Sequence, residues 1–219
     1  MWVLATRSRV LNCKRFIKEW HNTKANSKVY VRLDECDPDL IEMQSLPWPD
    51  TFMVTVGPRC RIGEAMQEMF AKFPNEPFYG MLADDLIPKT EFWDRLLIDA
   101  AGSDRISHAN DIHESEIRIC HPCVGGELVR VVGFFGLPVV KHFGTDTFWE
   151  EVHHRCRMNN KLRDVILEHA HFNFGQAVKD KTYEESQALK KSDRAAYRGW
   201  IAENLDKTIK QIKSHFNWA

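Results

Sequence analysis

The segment Phe78-Tyr79-Gly80-Met81-Leu82-Ala83-Asp84-Asp85-Leu86-Ile87-Pro88 runs from an apolar, aromatic stretch into two adjacent carboxylates and then a proline. Read as a strand, it delivers both acids to its carboxyl end, where the proline stops it. Neighbouring carboxylates repel unless something neutralises them. A divalent cation does so with hard oxygen ligands, and diphosphate oxygens can complete its shell. The plainer alternative is a loop start in which one carboxylate bonds backbone amides as an Asx-turn. A second grouping, Glu168-His169-Ala170-His171, sets two histidines at i and i+2. They cannot share a helix face, but they do share one face of an extended strand. A third, Cys120-His121-Pro122-Cys123, has the spacing of a zinc knuckle or a redox pair. No second Cys-x-x-Cys completes a four-ligand site, so the preferred reading is a strand end followed by a turn at Pro122. Asp146, in Gly144-Thr145-Asp146-Thr147-Phe148-Trp149, precedes a helical run and suits a helix cap.

These residues need elements to hold them. Short apolar runs rich in β-branched and aromatic residues recur at 2–6, 28–33, 51–56, 77–82 and 105–109, and they read as strands. Between them, Leu11, Phe16, Ile17 and Trp20, then Met66, Met69, Phe70 and Phe73, recur at helical spacing. Alternating strand and helix predicts right-handed crossovers and a mainly parallel sheet covered on both faces, with ligands at the carboxyl ends of the strands. The loops after Thr6, Leu33, Val56 and Leu82 are therefore where binding residues should gather. After about residue 115 the pattern changes to a strand at 116–120, a short helix at 127–132 and a longer one at 148–158. From Ser192 on, Tyr197, Ile201, Leu205, Ile209, Ile212 and Phe216 mark an amphipathic helix capped by Ser192 or Asp193.

The Asp-Asp segment followed by Thr90-Glu91-Phe92-Trp93-Asp94-Arg95-Leu96-Leu97 resembles the metal-binding motif and following helix of GT-A glycosyltransferases, in particular small phage and bacterial proteins related to the inverting family 2. The likeness continues through Val132-Gly133-Phe134-Phe135, His142 to Trp149, Glu168-His169-Ala170-His171 and Asp180-Lys181-Thr182-Tyr183, in order, over most of residues 1–190. It implies a single α/β domain of GT-A (Rossmann-like) fold at 1–190, with the helix of 191–219 packed on it. It also implies transfer of a sugar from a nucleotide diphosphate donor, UDP-linked, to an acceptor hydroxyl with inversion, supported by Mn²⁺ or Mg²⁺. Where the family often has Asp-x-Asp, this chain has Ala83-Asp84-Asp85. By the match Asp85 is the metal ligand and Asp84 contacts the donor ribose or a metal-bound water. His169 is the late metal ligand, with His171 the second choice. Thr6, Arg7 and Arg9 resemble the nucleotide-binding turn, and Asp34 the acid that accepts a hydrogen bond from the base. Asp146 matches the catalytic acid at a helix start. Lys179 and Lys181 could reach the diphosphate, and Arg59 and Arg61 could support a phosphate or be exposed helix-start arginines. Ser8 capping the first helix is the bland alternative for its turn.

The 219 residues suit one domain, and 43% hydrophobic content with thirteen Phe and seven Trp is enough to close a core. Thirty basic against 31 acidic residues give a net charge of −1, which excludes a general electrostatic attraction to nucleic acid. Hydroxymethylated pyrimidine in DNA is thus the alternative acceptor, with Lys207, Lys210 and Lys213 available for phosphate, and a glycan is the leading one. Trp2-Val3-Leu4-Ala5 is too short for a signal peptide, and no run approaches the about 20 apolar residues of a membrane span, so a cytoplasmic chain is expected, in the host if phage-encoded. Six scattered cysteines point to reduced thiols. A nucleotidyltransferase would want glycines in the Thr6–Arg9 loop, which has none. A non-catalytic nucleotide-binding module, or a zinc module on Cys120 and Cys123, is the remaining competitor.

Overall fold

The computed structural model describes residues 1–112, 118–158, 160–170 and 180–218. The strands are β1 (Trp2–Thr6), β2 (Val29–Asp34), β3 (Phe52–Gly57), β4 (Phe78–Leu82), β5 (Leu86–Pro88), β6 (Ile106–Asn110), β7 (Cys123–Gly125) and β8 (Lys161–His169). The helices are α1 (Val10–Asn22), α2 (Leu40–Gln44), α3 (Ile62–Lys72), α4 (Trp93–Ala101), α5 (Gly126–Val132), α6 (Thr145–Arg155) and α7 (Lys181–Phe216). The strands form one eight-stranded sheet in the order β3-β2-β1-β4-β7-β6-β8-β5. Strands β1 to β4, β6 and β8 run one way, and the short β7 and β5 run against them. The mainly parallel α/β sheet expected from the alternation is therefore present.

Parallel strands are buried on both faces, and their side chains divide by parity. Trp2 and Leu4 of β1 enter a core with α1 and α4, built around Phe16, Trp20, Phe52 and Trp93. Val3 of β1 and Tyr30 of β2 enter the opposite core, with Met66 and Met69 of α3 and Phe148 and Trp149 of α6. Gly80 must be glycine because the edge of the Trp2 ring would lie 2.0 Å from a β-carbon there.

The second half departs from the sequence reading. Of the strand expected at 116–120, residues 118–120 are not extended pairs and the remainder lies outside the described residues; the strand here is β7, which starts after Pro122 rather than ending before it. The C-terminal helix begins at Lys181, not Ser192, so the expected boundary at 190 falls inside it. Its cap is Asp180, whose carboxylate accepts the Tyr183 N–H. Asp193 is buried mid-helix and accepts the backbone N–H groups of Lys141, His142 and Phe143, fixing the loop before α6. Leu205, Ile209 and Ile212 of the expected stripe are buried in the same core as α3 and α6. No helix among the described residues is long and apolar enough to cross a membrane.

Candidate functional site

The carboxyl ends of β1, β2, β4 and β8 open on one cavity of about 330 Å³. Its lining includes Thr6, Arg7, Arg9, Asp34, Asp84, Asp85, Asp146 and His169 of the residues singled out from sequence. The structure brings these together from chain positions up to 163 residues apart because six strands point their ends the same way.

Asp84 and Asp85 follow β4 directly and are 4% and 3% exposed. Neither carboxylate accepts a backbone N–H among the described residues, so the Asx-turn alternative is not what holds them. Asp84 is fully engaged: Thr6 Oγ1 donates to Oδ2 at 2.7 Å and Arg9 Nη1 to Oδ1 at 2.9 Å. It ties the loop after β1 to the end of β4 while still lining the cavity. Arg9 also forks onto Asp180 at 2.9 and 3.1 Å and lies 4.0 Å over the Tyr183 ring. The alternative of Ser8 capping α1 is not realised, because Ser8 N and Oγ both donate to Asp37.

Asp85 is different. Its Oδ2 accepts from the Tyr183 hydroxyl at 2.7 Å, while Oδ1 is buried without a hydrogen-bond partner among the described residues and lies 3.3 Å from His169 Nε2. Burial opposes ionisation of Asp85, yet His169 and Tyr183 hold it below the usual carboxylate range. Burial instead raises Asp84, against the pull of Arg9 and reinforced by the charge of Asp85. One acid of the adjacent pair is thus neutralised internally, and the other keeps a charge and an unfilled oxygen. A buried oxygen in that state calls for a ligand. A carboxylate oxygen and an imidazole nitrogen about 3 Å apart form a donor set that fits a small divalent cation.

Asp34 ends β2, where its Oδ1 accepts the Cys60 N–H at 3.0 Å and its Oδ2 faces Arg7 Nη1 at 3.4 Å. Asp146 is the second residue of α6 and not its cap. The cap position is Gly144, at φ 103°, where a β-carbon would strike the Tyr197 ring. Among the described residues Asp146 Oδ1 accepts only from its neighbour Thr147, at 2.8 Å to N and 3.3 Å to Oγ1, and burial pushes its carboxyl up. His142 on the same wall is pushed down to about 4 by burial and by the Arg61 charge, so it stays neutral.

Some expected residues lie elsewhere. Arg59 does not line the cavity; it pairs with Glu185, which also faces Arg61 at 3.5 Å, and Arg61 is the one that reaches the wall. Lys181 is exposed on the first turn of α7, outside the lining. His171 and Lys179 lie outside the described residues. The sequence reading missed the roles of Tyr183, which lines the cavity from α7, and of Asp180, which caps α7 and holds Arg9. The one local signal was the Asp-x-x-Tyr spacing, which places a cap and its third residue on the same turn.

The fold is GT-A-like. Glucosyl-3-phosphoglycerate synthase from Mycobacterium tuberculosis, solved with Mn²⁺, UDP and glucosyl-3-phosphoglycerate, superposes with a TM-score of 0.57 at 12% identity, over 89% of this chain and 77% of that one. The same enzyme with phosphoglyceric acid gives 0.58 at 11%, over 90% and 77%. A structure described as a mycobacterial protein gives 0.58 at 11%, over 89% and 72%. At such identities the likeness is one of fold. No protein-family model matches the sequence, and no curated protein matches it significantly.

Proposed function

We propose that this GT-A-like chain is a metal-dependent glycosyltransferase that moves a sugar from a UDP-linked donor to an acceptor hydroxyl with inversion. The observation that carries the reading is the Asp85–His169 pair: a buried, charged carboxylate with one unfilled oxygen, facing an imidazole at the carboxyl edge of the sheet. The synthase that shares the fold was solved with Mn²⁺ and UDP, which supports a divalent cation and a uridine nucleotide here. Asp85 and His169 would hold Mn²⁺ or Mg²⁺. When bound, such a cation neutralises diphosphate oxygens and acts on them as a Lewis acid.

The protein's own groups account for the rest. Asp34, partly satisfied by Cys60 and Arg7, has acceptor capacity left for a base N–H, and a base without that donor leaves the carboxylate unpaired. Arg61 presents a guanidinium to the cavity for anionic oxygens. Asp146 takes the proton of the attacking hydroxyl; its raised pKa moves it toward the operating range of a general base. The acceptor oxygen would bond to the anomeric carbon as the bond to the UDP phosphate oxygen breaks on the opposite face, which inverts that carbon and releases UDP with no covalent intermediate on the protein.

The test is thermal denaturation of wild type and Asp85→Ala with a panel of nucleotide sugars, with and without Mn²⁺. A donor at a hundred times its dissociation constant adds about 2.7 kcal/mol, which raises the melting temperature by about 5–10 °C. That shift is expected with Mn²⁺ and one UDP-sugar, and not in Asp85→Ala. No response of wild type to any donor with Mn²⁺, or an undiminished response in the mutant, overturns the reading.

A further inference from the structure

Three adjacent strands converge beside the donor cavity. β6 ends at Asn110 and β8 at His169, while the antiparallel β7 starts from that same edge. Asp111, Cys120 and His169 sit at or just past these ends, and one ligand atom of each lies within 4.8 Å of the other two. His169 ends β8, Asp111 follows β6 by one residue and Cys120 precedes β7 by three, so adjacent strands bring them together. Cys123 is no part of this group: it is buried within β7, in the core that holds Trp2 and Trp93. The group is not written in the Cys-x-x-Cys spacing: Asp111 lies 9 residues before Cys120 and His169 49 after it.

The chemistry of this set differs from that of Asp85 with His169. A thiolate is a soft ligand, and thiolate, imidazole and carboxylate together select zinc over magnesium or manganese. Tetrahedral zinc with bonds of about 2.0–2.3 Å holds its ligand atoms about 3.3–3.8 Å apart. A limit of 4.8 Å therefore closes with side-chain shifts of about an ångström. Cys120 and His169 both line the cavity, so a fourth position would face a ligand there.

We propose that Asp111, Cys120 and His169 form a zinc site that competes with the donor cation for His169. A neutral imidazole has one free lone pair, so it serves one cation at a time. Zinc drawn to Cys120 and Asp111 takes the nitrogen partner of Asp85, and Asp85 alone holds Mn²⁺ or Mg²⁺ more weakly. Zinc is then an antagonist of donor binding. The competition rests on the reading of Asp85 and His169 given above; the zinc site itself does not.

The experiment uses the full chain stripped with a chelator. Zn²⁺ is titrated calorimetrically, Co²⁺ is followed by its thiolate charge-transfer absorption, and bound Mn²⁺ is followed by electron paramagnetic resonance with and without added Zn²⁺. One Zn²⁺ per chain is expected, with a thiolate–cobalt band in wild type. Cys120→Ser should lose the band, and both Cys120→Ser and Asp111→Asn should lose at least about 10-fold in zinc affinity. Zn²⁺ should displace Mn²⁺ from wild type and fail to do so, at the same concentration, from Cys120→Ser. Melting curves show whether each variant is folded, and the two substitutions lie on different strand ends. No stoichiometric zinc, a cobalt spectrum without the band, or unchanged zinc affinity in folded Cys120→Ser overturns the site. Zinc and Mn²⁺ bound together on wild type overturns the competition. A chain with the cobalt band that binds no Mn²⁺ keeps the zinc site and refutes the donor-cation reading instead.

Discussion

Replacing Tyr183 by Phe removes one hydroxyl from the cavity wall and leaves the ring in place. That hydroxyl donates to Asp85 Oδ2 at 2.7 Å, between residues only 8% and 3% exposed. Burial and the Asp85 charge push the phenol well above its ordinary range, so it stays protonated as the donor. A hydrogen bond to a charged acceptor contributes about 1.5–3 kcal/mol. In a chain of this length each kcal/mol moves the melting temperature by about 2–4 °C, so Tyr183→Phe should melt about 3–12 °C lower. A second effect follows from geometry. Tyr183 fixes one oxygen of Asp85 and so aims the other at His169, and loss of an orienting partner typically lowers metal affinity by about 10–100-fold. The ring that Arg9 covers remains, and so do the ion pairs of Arg9, which keeps the two effects separate from that network. Scanning fluorimetry without metal reads the first effect and a Mn²⁺ titration by paramagnetic resonance reads the second. A melting temperature within about 1 °C of wild type, with unchanged Mn²⁺ affinity, would refute the reasoning.

Asp146→Asn keeps an acceptor for the Thr147 N–H, so it should melt like wild type and bind donor normally but lose roughly 10²-fold or more in turnover; full transfer activity removes Asp146 as the base. Asp193→Ala strands three backbone N–H groups before α6 and should cost about 2–4 kcal/mol in urea denaturation, with Asp193→Asn recovering part; a loss under about 0.5 kcal/mol refutes the account. Burial pushes both His108 and His153 down to about 4, helped at His108 by His153 and Lys161 and at His153 by His154. The unfolded chain takes up their protons near pH 6.5 and the folded chain only near pH 4, so stability falls as pH drops through that window, by about 2 kcal/mol per histidine at pH 5. His153→Met should lower that slope by one proton, and equal slopes for both proteins in denaturant titrations at pH 7 and 5 would contradict this.

The first half of the fold was legible because its strands are buried on both faces and read as continuous apolar runs, from Trp2-Val3-Leu4 to Phe78-Tyr79-Gly80-Met81-Leu82. The strand β8 was not, since Lys161, Arg163, Asp164 and Glu168 interrupt its pattern and its first half is partly or fully exposed. The start of α7 was hidden for another reason. Its first turns face a polar cavity through Thr182, Tyr183 and Ser186, and only its later turns face the apolar core, so no single stripe runs its length. In the site, Asp85 was visible because an apolar strand ending in acids is a local pattern. The partners that decide what each acid does, Arg9 for Asp84 and Tyr183 for Asp85, lie 75 and 98 residues away and belong to topology.

That topology explains why an adjacent pair of acids can do the work of one. Arg9 binds Asp84 and Asp180 together and stacks on Tyr183, so a single guanidinium joins the loop after β1, the end of β4 and the first turn of α7. The position of the Tyr183 hydroxyl, and through it the aim of Asp85, depends on that junction. Burial raises Asp84 against the pull of Arg9, and His169 and Tyr183 hold Asp85 low. Asp84 acts as an anchor, then, and Asp85 keeps an oxygen without a hydrogen-bond partner among the described residues toward His169. Substitution of Arg9 is accordingly expected to weaken cation binding although Arg9 touches no cation ligand directly.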